Sequence, residues 1–247
     1  MRLFDSHIDK INFLLREMRE KGKITDNIQQ DNVDWPLAGD RDLVMGVDTA
    51  VELGHPKEGS MAFLVWANEP TQLKNRRISV IGPELQTLIG KQVPFGKIVL
   101  LGGDAFNEDN SYKRYRQLES VRYELRLKGY MMRGVSQYGR EWSRVSREAI
   151  DAGFSFAVLG NALARRFLEF EFIRSVEVVF ITSGLEDIQP FMPIADRALT
   201  LISAMNKMME DVSFDCESCD YSDVCKDVQG LRAMRKSLEK KREAADA

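Results

Sequence analysis

Two stretches leave this chain few architectural options. Met61-Ala62-Phe63-Leu64-Val65-Trp66 is almost unbroken apolar sequence, and Val176, Val178, Val179, Phe180 and Ile181 crowd a second short segment. Runs of strand length without polar alternation bury both faces, so they belong in the centre of a covered sheet. Segments with helical spacing lie between them. Tyr115, Leu118, Val121 and Leu125 form one stripe, and Leu163, Phe167 and Phe170 form another. Strands and helices therefore alternate from about 43 to 183. That alternation predicts an α/β fold with a mixed, largely buried sheet, followed by a small helical, cysteine-containing C-terminal region.

The order along the chain predicts three parts. Residues 1–41 are an N-terminal helix and arm. Ile8, Ile11, Leu14, Leu15 and Met18 line one helix face, Gly22 ends it, and a polar arm follows through Trp35-Pro36. Residues 42–184 are the α/β domain. Within it, Leu43–Leu53 and Ser60–Ala67 read as a hairpin around His55-Pro56-Lys57-Glu58-Gly59. Pro83 is suited to start a helix, and Tyr130–Gln137 reads as a further strand. Residues 185–247 are the helical C-terminal region. There Leu199, Ile202, Met205 and Met209 share a face, as do Val228, Leu231, Met234 and Leu238.

All three cysteines, Cys216, Cys219 and Cys225, fall within ten residues of that last part. Three is an odd number for a disulfide framework, whereas clustered thiolates suit zinc or an iron–sulfur cluster. A 4Fe-4S cluster with three cysteine ligands needs a fourth, and zinc needs one too. Asp215, Asp220, Asp223, a neighbouring subunit, substrate or solvent could each supply it. The carboxylates around the cysteines, Glu217 and Asp227 included, either lower a cluster's potential or serve the N-terminus of the last helix. Three plain buried thiols are the simpler alternative. His7 and His55, the only imidazoles, lie far away in sequence and supply no base–nucleophile pair.

Arginines are dense from Arg114 to Arg174. Most pair with nearby carboxylates on a solvated face. Arg140 and Arg144, flanking Trp142 in a predicted loop, are the candidates for cofactor binding, with coenzyme A or a nucleotide as the phosphate-bearing ligand. Gly102-Gly103 lacks the dinucleotide spacing. No catalytic residue can be assigned. A net charge of -3 argues against nucleic acid. The charged N-terminus and the lack of a long apolar run predict a cytoplasmic protein with reduced thiols and no membrane span.

Asp48-Thr49-Ala50-Val51-Glu52-Leu53-Gly54-His55-Pro56-Lys57-Glu58-Gly59-Ser60, continuing through Phe63-Leu64-Val65-Trp66 and Ile81-Gly82-Pro83, resembles the middle α/β domain of acetyl-CoA synthase, the beta component of the carbon monoxide dehydrogenase/acetyl-CoA synthase complex. Phe167 to Ile181 is similar to the same domain, so the resemblance covers most of residues 40–183. In that family a cysteine-rich domain follows and holds a nickel–iron–sulfur centre. Cys216, Cys219 and Cys225 stand at the corresponding place, with a shorter third spacing. The family's fourth cluster cysteine and its Cys-Gly-Cys nickel grip have no counterpart. The resemblance thus implies ancestry, a four-iron cluster, and binding of coenzyme A or of a partner such as carbon monoxide dehydrogenase or a corrinoid iron–sulfur protein. It implies an accessory or electron-transfer role rather than a complete two-nickel site; any turnover would be of the CO-methylating acetyl-CoA synthase kind. The cysteine spacing also looks like the cluster-binding ends of some CRISPR-associated nucleases, whose carboxylate–lysine set is not matched here. Two further expectations stand beside these: a coenzyme A or nucleotide module with zinc or no metal, and an interaction protein docking through its N-terminal helix and arm. A homo-oligomer is compatible with each.

Overall fold

The computed structural model describes residues 2–28, 34–68, 73–104, 106–136, 139–210 and 219–245. The fold is mixed α/β, built on two mixed sheets. The larger takes strands β1 (Ile24–Ile28), β3 (Ser60–Ala67), β4 (Arg77–Ile81), β6 (Phe95–Gly103) and β9 (Ile173–Ile181) in the order β1-β4-β9-β6-β3. Its pairings alternate: β1 with β4 antiparallel, β4 with β9 parallel, β9 with β6 antiparallel, β6 with β3 parallel. The smaller sheet takes β2 (Thr49–Leu53), β5 (Lys91–Val93), β7 (Tyr130–Ser136) and β8 (Arg140–Ser146) in the order β5-β2-β8-β7.

The apolar runs explain this placement. Every residue of β6 is buried, and so is almost all of β9, which stands in the middle of its sheet. Helix α4 (Phe156–Leu168) lies on one face of β9 and β4; its Phe156 stacks 4.9 Å from Phe180, which stacks on Phe95. Helix α2 (Ser111–Glu124) packs beside α4. Helix α1 (Asp5–Glu20) covers the opposite face, where its Arg19 lies 3.8 Å from Glu177 of β9. Local chemistry marks the helix starts: Ser155 Oγ accepts the Val158 amide at 3.3 Å to cap α4, and Ser146 Oγ accepts the Ala149 amide at 3.1 Å to cap α3 (Arg147–Asp151).

Three local expectations are corrected. β2 and β3 are not a hairpin, because they belong to different sheets. Gly54 and Gly59, at φ of 67° and 86°, bend the connection out of one sheet and into the other. β3 is at the border of its sheet rather than in its centre; it is buried because α1, α6 (Met192–Glu210) and β8 cover it. Pro83 does not begin a helix. The chain instead makes a single 3-10 turn over Leu85–Leu88, opened by Glu84, whose carboxylate accepts the Leu85 and Phe156 amides. The polar arm of the N-terminal part contributes β1, an edge strand on β4.

After β9 the chain is helical. A short α5 (Leu185–Ile188) and a 3-10 turn over Gln189–Phe191 lead into α6, and α7 (Ser222–Asp227) and α8 (Gln229–Ala245) pack against α6 and each other. Among the described residues no helix is long and apolar enough to cross a membrane.

Candidate functional site

Cys219 lies three residues before the start of α7, and Cys225 lies within it. The Ser222 amide donates to the Cys219 carbonyl at 3.0 Å, and the Cys225 amide to the Tyr221 carbonyl at 2.9 Å. The two cysteines thus bracket a hydrogen-bonded turn. Cys225 is buried among apolar residues that include Leu231 and Met234 of α8, and Cys219 is half-buried; neither is in a disulfide. Cys216, Asp215 and Glu217 lie outside the described residues. Asp220, Asp223 and Asp227 are exposed around the turn, and Asp223 sits in the first turn of α7. Among the described residues, no three His, Cys, Asp or Glu side chains stand together as a metal-binding group. What does fit a thiophilic metal is the donor chemistry: two thiols held by one short turn, one in apolar surroundings, with the third three residues upstream in sequence.

Beside this turn is a cavity of about 680 Å³, walled by α2, α6 and Tyr221. Arg116, Glu119 and Arg122 of α2 enter it, and Arg122 lies 3.6 Å from Glu119. Burial and the charge of Glu119 push the Tyr115 phenol far above its ordinary value, so it stays protonated. Asn206 of α6 brings a buried Oδ1 with no hydrogen-bond partner. The sequence carried one signal for this wall, the i, i+3, i+6 series Arg116-Glu119-Arg122. It did not single these residues out among the other arginines, because only the placement of α6 and Tyr221 across a cavity from α2 makes them a wall.

Arg140, Trp142 and Arg144 are not in a loop; they alternate along β8 with the buried Glu141, Ser143 and Val145 and so share its outer face. Across β2, Glu52 is opposite Arg144 in the ladder and accepts from its Nε at 2.7 Å. Gln92 of β5 donates to the other Glu52 oxygen at 2.9 Å. The Trp142 ring has the guanidinium carbons of Arg133 and Arg144 at 5.5 and 5.6 Å and the His55 ring edge-on at 5.2 Å. His55, in the connection from β2 to β3, thus joins the face through the fold. Arg144 is committed to Glu52, while Arg140 is exposed.

The inner face of β8 carries a second polar group. Glu141 forms a buried ion pair with Lys97 of β6; Tyr130 donates toward Glu141 at 3.3 Å and lies 3.0 Å from Ser143. Burial and then the Glu141 charge raise the Tyr130 phenol well above its usual value, which keeps it a donor.

The comparisons with known proteins bear on the same elements. A family model described as CO dehydrogenase/acetyl-CoA synthase complex beta subunit matches residues 36–186, from between β1 and β2 to the start of α5. The chain is 28% identical over 189 residues to the acetyl-CoA decarbonylase/synthase complex subunit beta 1 of Methanosarcina thermophila, an alignment covering 71% of this chain and 38% of that protein. It is 32% identical over 176 residues to the subunit beta of Methanothermobacter thermautotrophicus, covering 68% and 36%, and 32% identical over 156 residues to that of Methanopyrus kandleri, covering 61% and 32%. The chain therefore spans about a third of the length of these relatives. The family model ends at residue 186, so both sheets fall within it apart from β1, and the cysteine turn follows it. With the model matching well over half of its residues, the chain belongs to the CO dehydrogenase/acetyl-CoA synthase complex beta subunit family.

Proposed function

We propose that this chain is an iron–sulfur protein that serves carbon monoxide and acetyl-CoA metabolism in an accessory or electron-transfer role, with Cys216, Cys219 and Cys225 as three ligands of a four-iron cluster. The observation that carries the reading is the bracketing of one turn by Cys219 and Cys225, beside a cavity large enough for further ligands. A bound cluster would supply one-electron transfer. The chain's own part is to hold the thiols: the backbone bonds of 219–225 fix their spacing, and the apolar burial of Cys225 excludes water from one side. Asp220 and Asp223 are described candidates for the fourth ligand. These 247 residues hold three cysteines, too few for a cluster plus a thiolate-gripped nickel pair. A reduced, low-oxygen cytoplasm is the setting such a centre requires.

Partner binding, to a carbon monoxide dehydrogenase, a corrinoid iron–sulfur protein or a second copy, has support of its own. Leu37, Leu43, Met45 and Val47 are large apolar side chains, 77, 62, 57 and 94% exposed, gathered in one short segment at the start of the family-matched region. Apolar exposure concentrated in this way marks interaction surfaces.

The test is anaerobic purification with iron and sulfide analysis and an absorption spectrum near roughly 400 nm. Iron and sulfide at cluster stoichiometry, lost in Cys219→Ser and Cys225→Ser, is the expected result. Colourless, iron-free protein after reconstitution would refute the cluster. A second reading, a coenzyme A or nucleotide module with zinc or no metal, is favoured by the outer face of β8, where Arg133 and Arg140 flank Trp142 without the carboxylate that ties Arg144. Saturable heat with coenzyme A, abolished by Arg140→Ala in iron-free protein, would select it.

A further inference from the structure

α1 and the start of α6 enclose a groove of about 490 Å³, remote from the cysteine turn in the residues that line it. Phe13, Pro193 and Ile194 give it apolar walls. His7 lines it too, although the side chain is 92% buried by the 8% exposure it retains, and its Nδ1 has no hydrogen-bond partner. That nitrogen has no accessible surface, so the imidazole stands as part of the groove wall, where its ring senses what fills the groove. Lys10 and Arg197 face the same groove, one from each helix, and neither forms an ion pair among the described residues. Asp9 is the one carboxylate lining it. Phe13 is 51% exposed, and the Arg16 guanidinium lies 5.5 Å from its ring centre.

We propose that this groove binds a small organic carboxylate with an apolar body. The carboxylate faces Lys10 and Arg197, and the body lies on Phe13, Pro193 and Ile194 beside the His7 ring. The volume lies within the roughly 300–1,000 Å³ of small-molecule sites. Two unpaired cations on opposite walls call for one anion between them, and an arginine fork matches a planar carboxylate. The apolar walls reward a hydrocarbon body and disfavour a bare, strongly hydrated anion. Burial, with Lys10 and Arg197 adding to it, lowers the His7 pKa to about 4, so the ring is neutral at pH 7 and the groove's positive charge comes from Lys10 and Arg197. The site shares no residue with the cysteine turn or the Trp142 face, so it stands whatever becomes of the cluster.

The chain has two histidines, which makes the imidazole proton resonances of the full-length protein a direct readout. Phenylbutanoate, titrated at pH 7, should shift the His7 resonance saturably and leave His55 in place; His7→Asn assigns the signal. Phenylbutanol, with the same body and no charge, should bind at least about tenfold more weakly, as should the Lys10→Gln/Arg197→Gln protein with phenylbutanoate. Both substituted residues are exposed, and an unchanged His55 resonance confirms an intact fold. Absence of a His7 shift up to the solubility limit overturns the proposal. So does equal binding of the alcohol, or equal binding by the double variant. A matching shift with inorganic phosphate overturns it too, because the apolar body would then be irrelevant.

Discussion

The Lys97–Glu141 pair joins the two sheets, and its removal one side at a time should be among the costliest changes in the protein. Lys97 is 8% and Glu141 1% exposed. Lys97→Met leaves a buried carboxylate whose remaining hydrogen bond is the one from the Tyr130 hydroxyl at 3.3 Å. Stranding one partner of a buried pair costs about 3–5 kcal/mol. A cavity of about 20 Å³ adjoins the pair, room for about one water, which can hydrate the stranded carboxylate and holds the cost near about 3 kcal/mol. With a urea slope of about 3 kcal/mol/M, the unfolding midpoint should fall by about 1 M. Lys97→Met/Glu141→Leu removes both charges and leaves Tyr130 and Ser143 bonded to each other at 3.0 Å, so most of the loss should return. The measurement is a urea double-mutant cycle, with an expected coupling of at least about 2 kcal/mol. A single-variant loss below about 1 kcal/mol, or a double variant as unstable as the sum of the singles, would refute the pair as the join between the sheets.

Two further outcomes follow from local geometry. Gly54→Ala should cost about 3 kcal/mol and lower Tm by about 6–12 °C, because the residue sits at φ 67° and its new Cβ would lie 2.2 Å from the Glu141 carbonyl oxygen; Gly22→Ala, at φ 69° with open space around it, should cost only about 1 kcal/mol in the same thermal melts. His7, with a folded pKa of about 4 against an ordinary 6.5, takes up its proton more readily when unfolded, so it withdraws stability as pH falls from about 6.5 to 4 and nothing further below; the loss should approach about 3 kcal/mol, seen as the difference in the urea midpoint's pH dependence between the native chain and His7→Asn, and parallel pH profiles would refute it.

The cysteine turn and the outer face of β8 were legible in the sequence to different degrees. Cys219 and Cys225 could be grouped in sequence, but six extended residues reach about 20 Å, and it is the hydrogen-bonded turn opening α7 that shortens the span between them. Arg140, Trp142 and Arg144 were grouped by closeness in sequence but expected in a loop; their shared face comes from β8, which the local pattern did not reveal. Their partners were not legible. Glu52 is 92 residues from Arg144, and nothing in composition says that one carboxylate will take Arg144 and leave Arg140 open. The groove beside His7 was invisible for the same reason: α1 and α6 are separated by most of the chain, and only their packing makes His7, Lys10 and Arg197 neighbours.

Apolar runs and helical stripes, being local patterns with a definite period, were enough to determine an α/β chain with buried strands and a helical C-terminal part. They did not determine which sheet each strand joins. A continuous apolar strand satisfies a sheet centre and a covered border equally well, and β3 took the border because α1, α6 and β8 were available to cover it. Burial depends on what arrives from elsewhere in the chain, and that is decided only when the whole molecule packs.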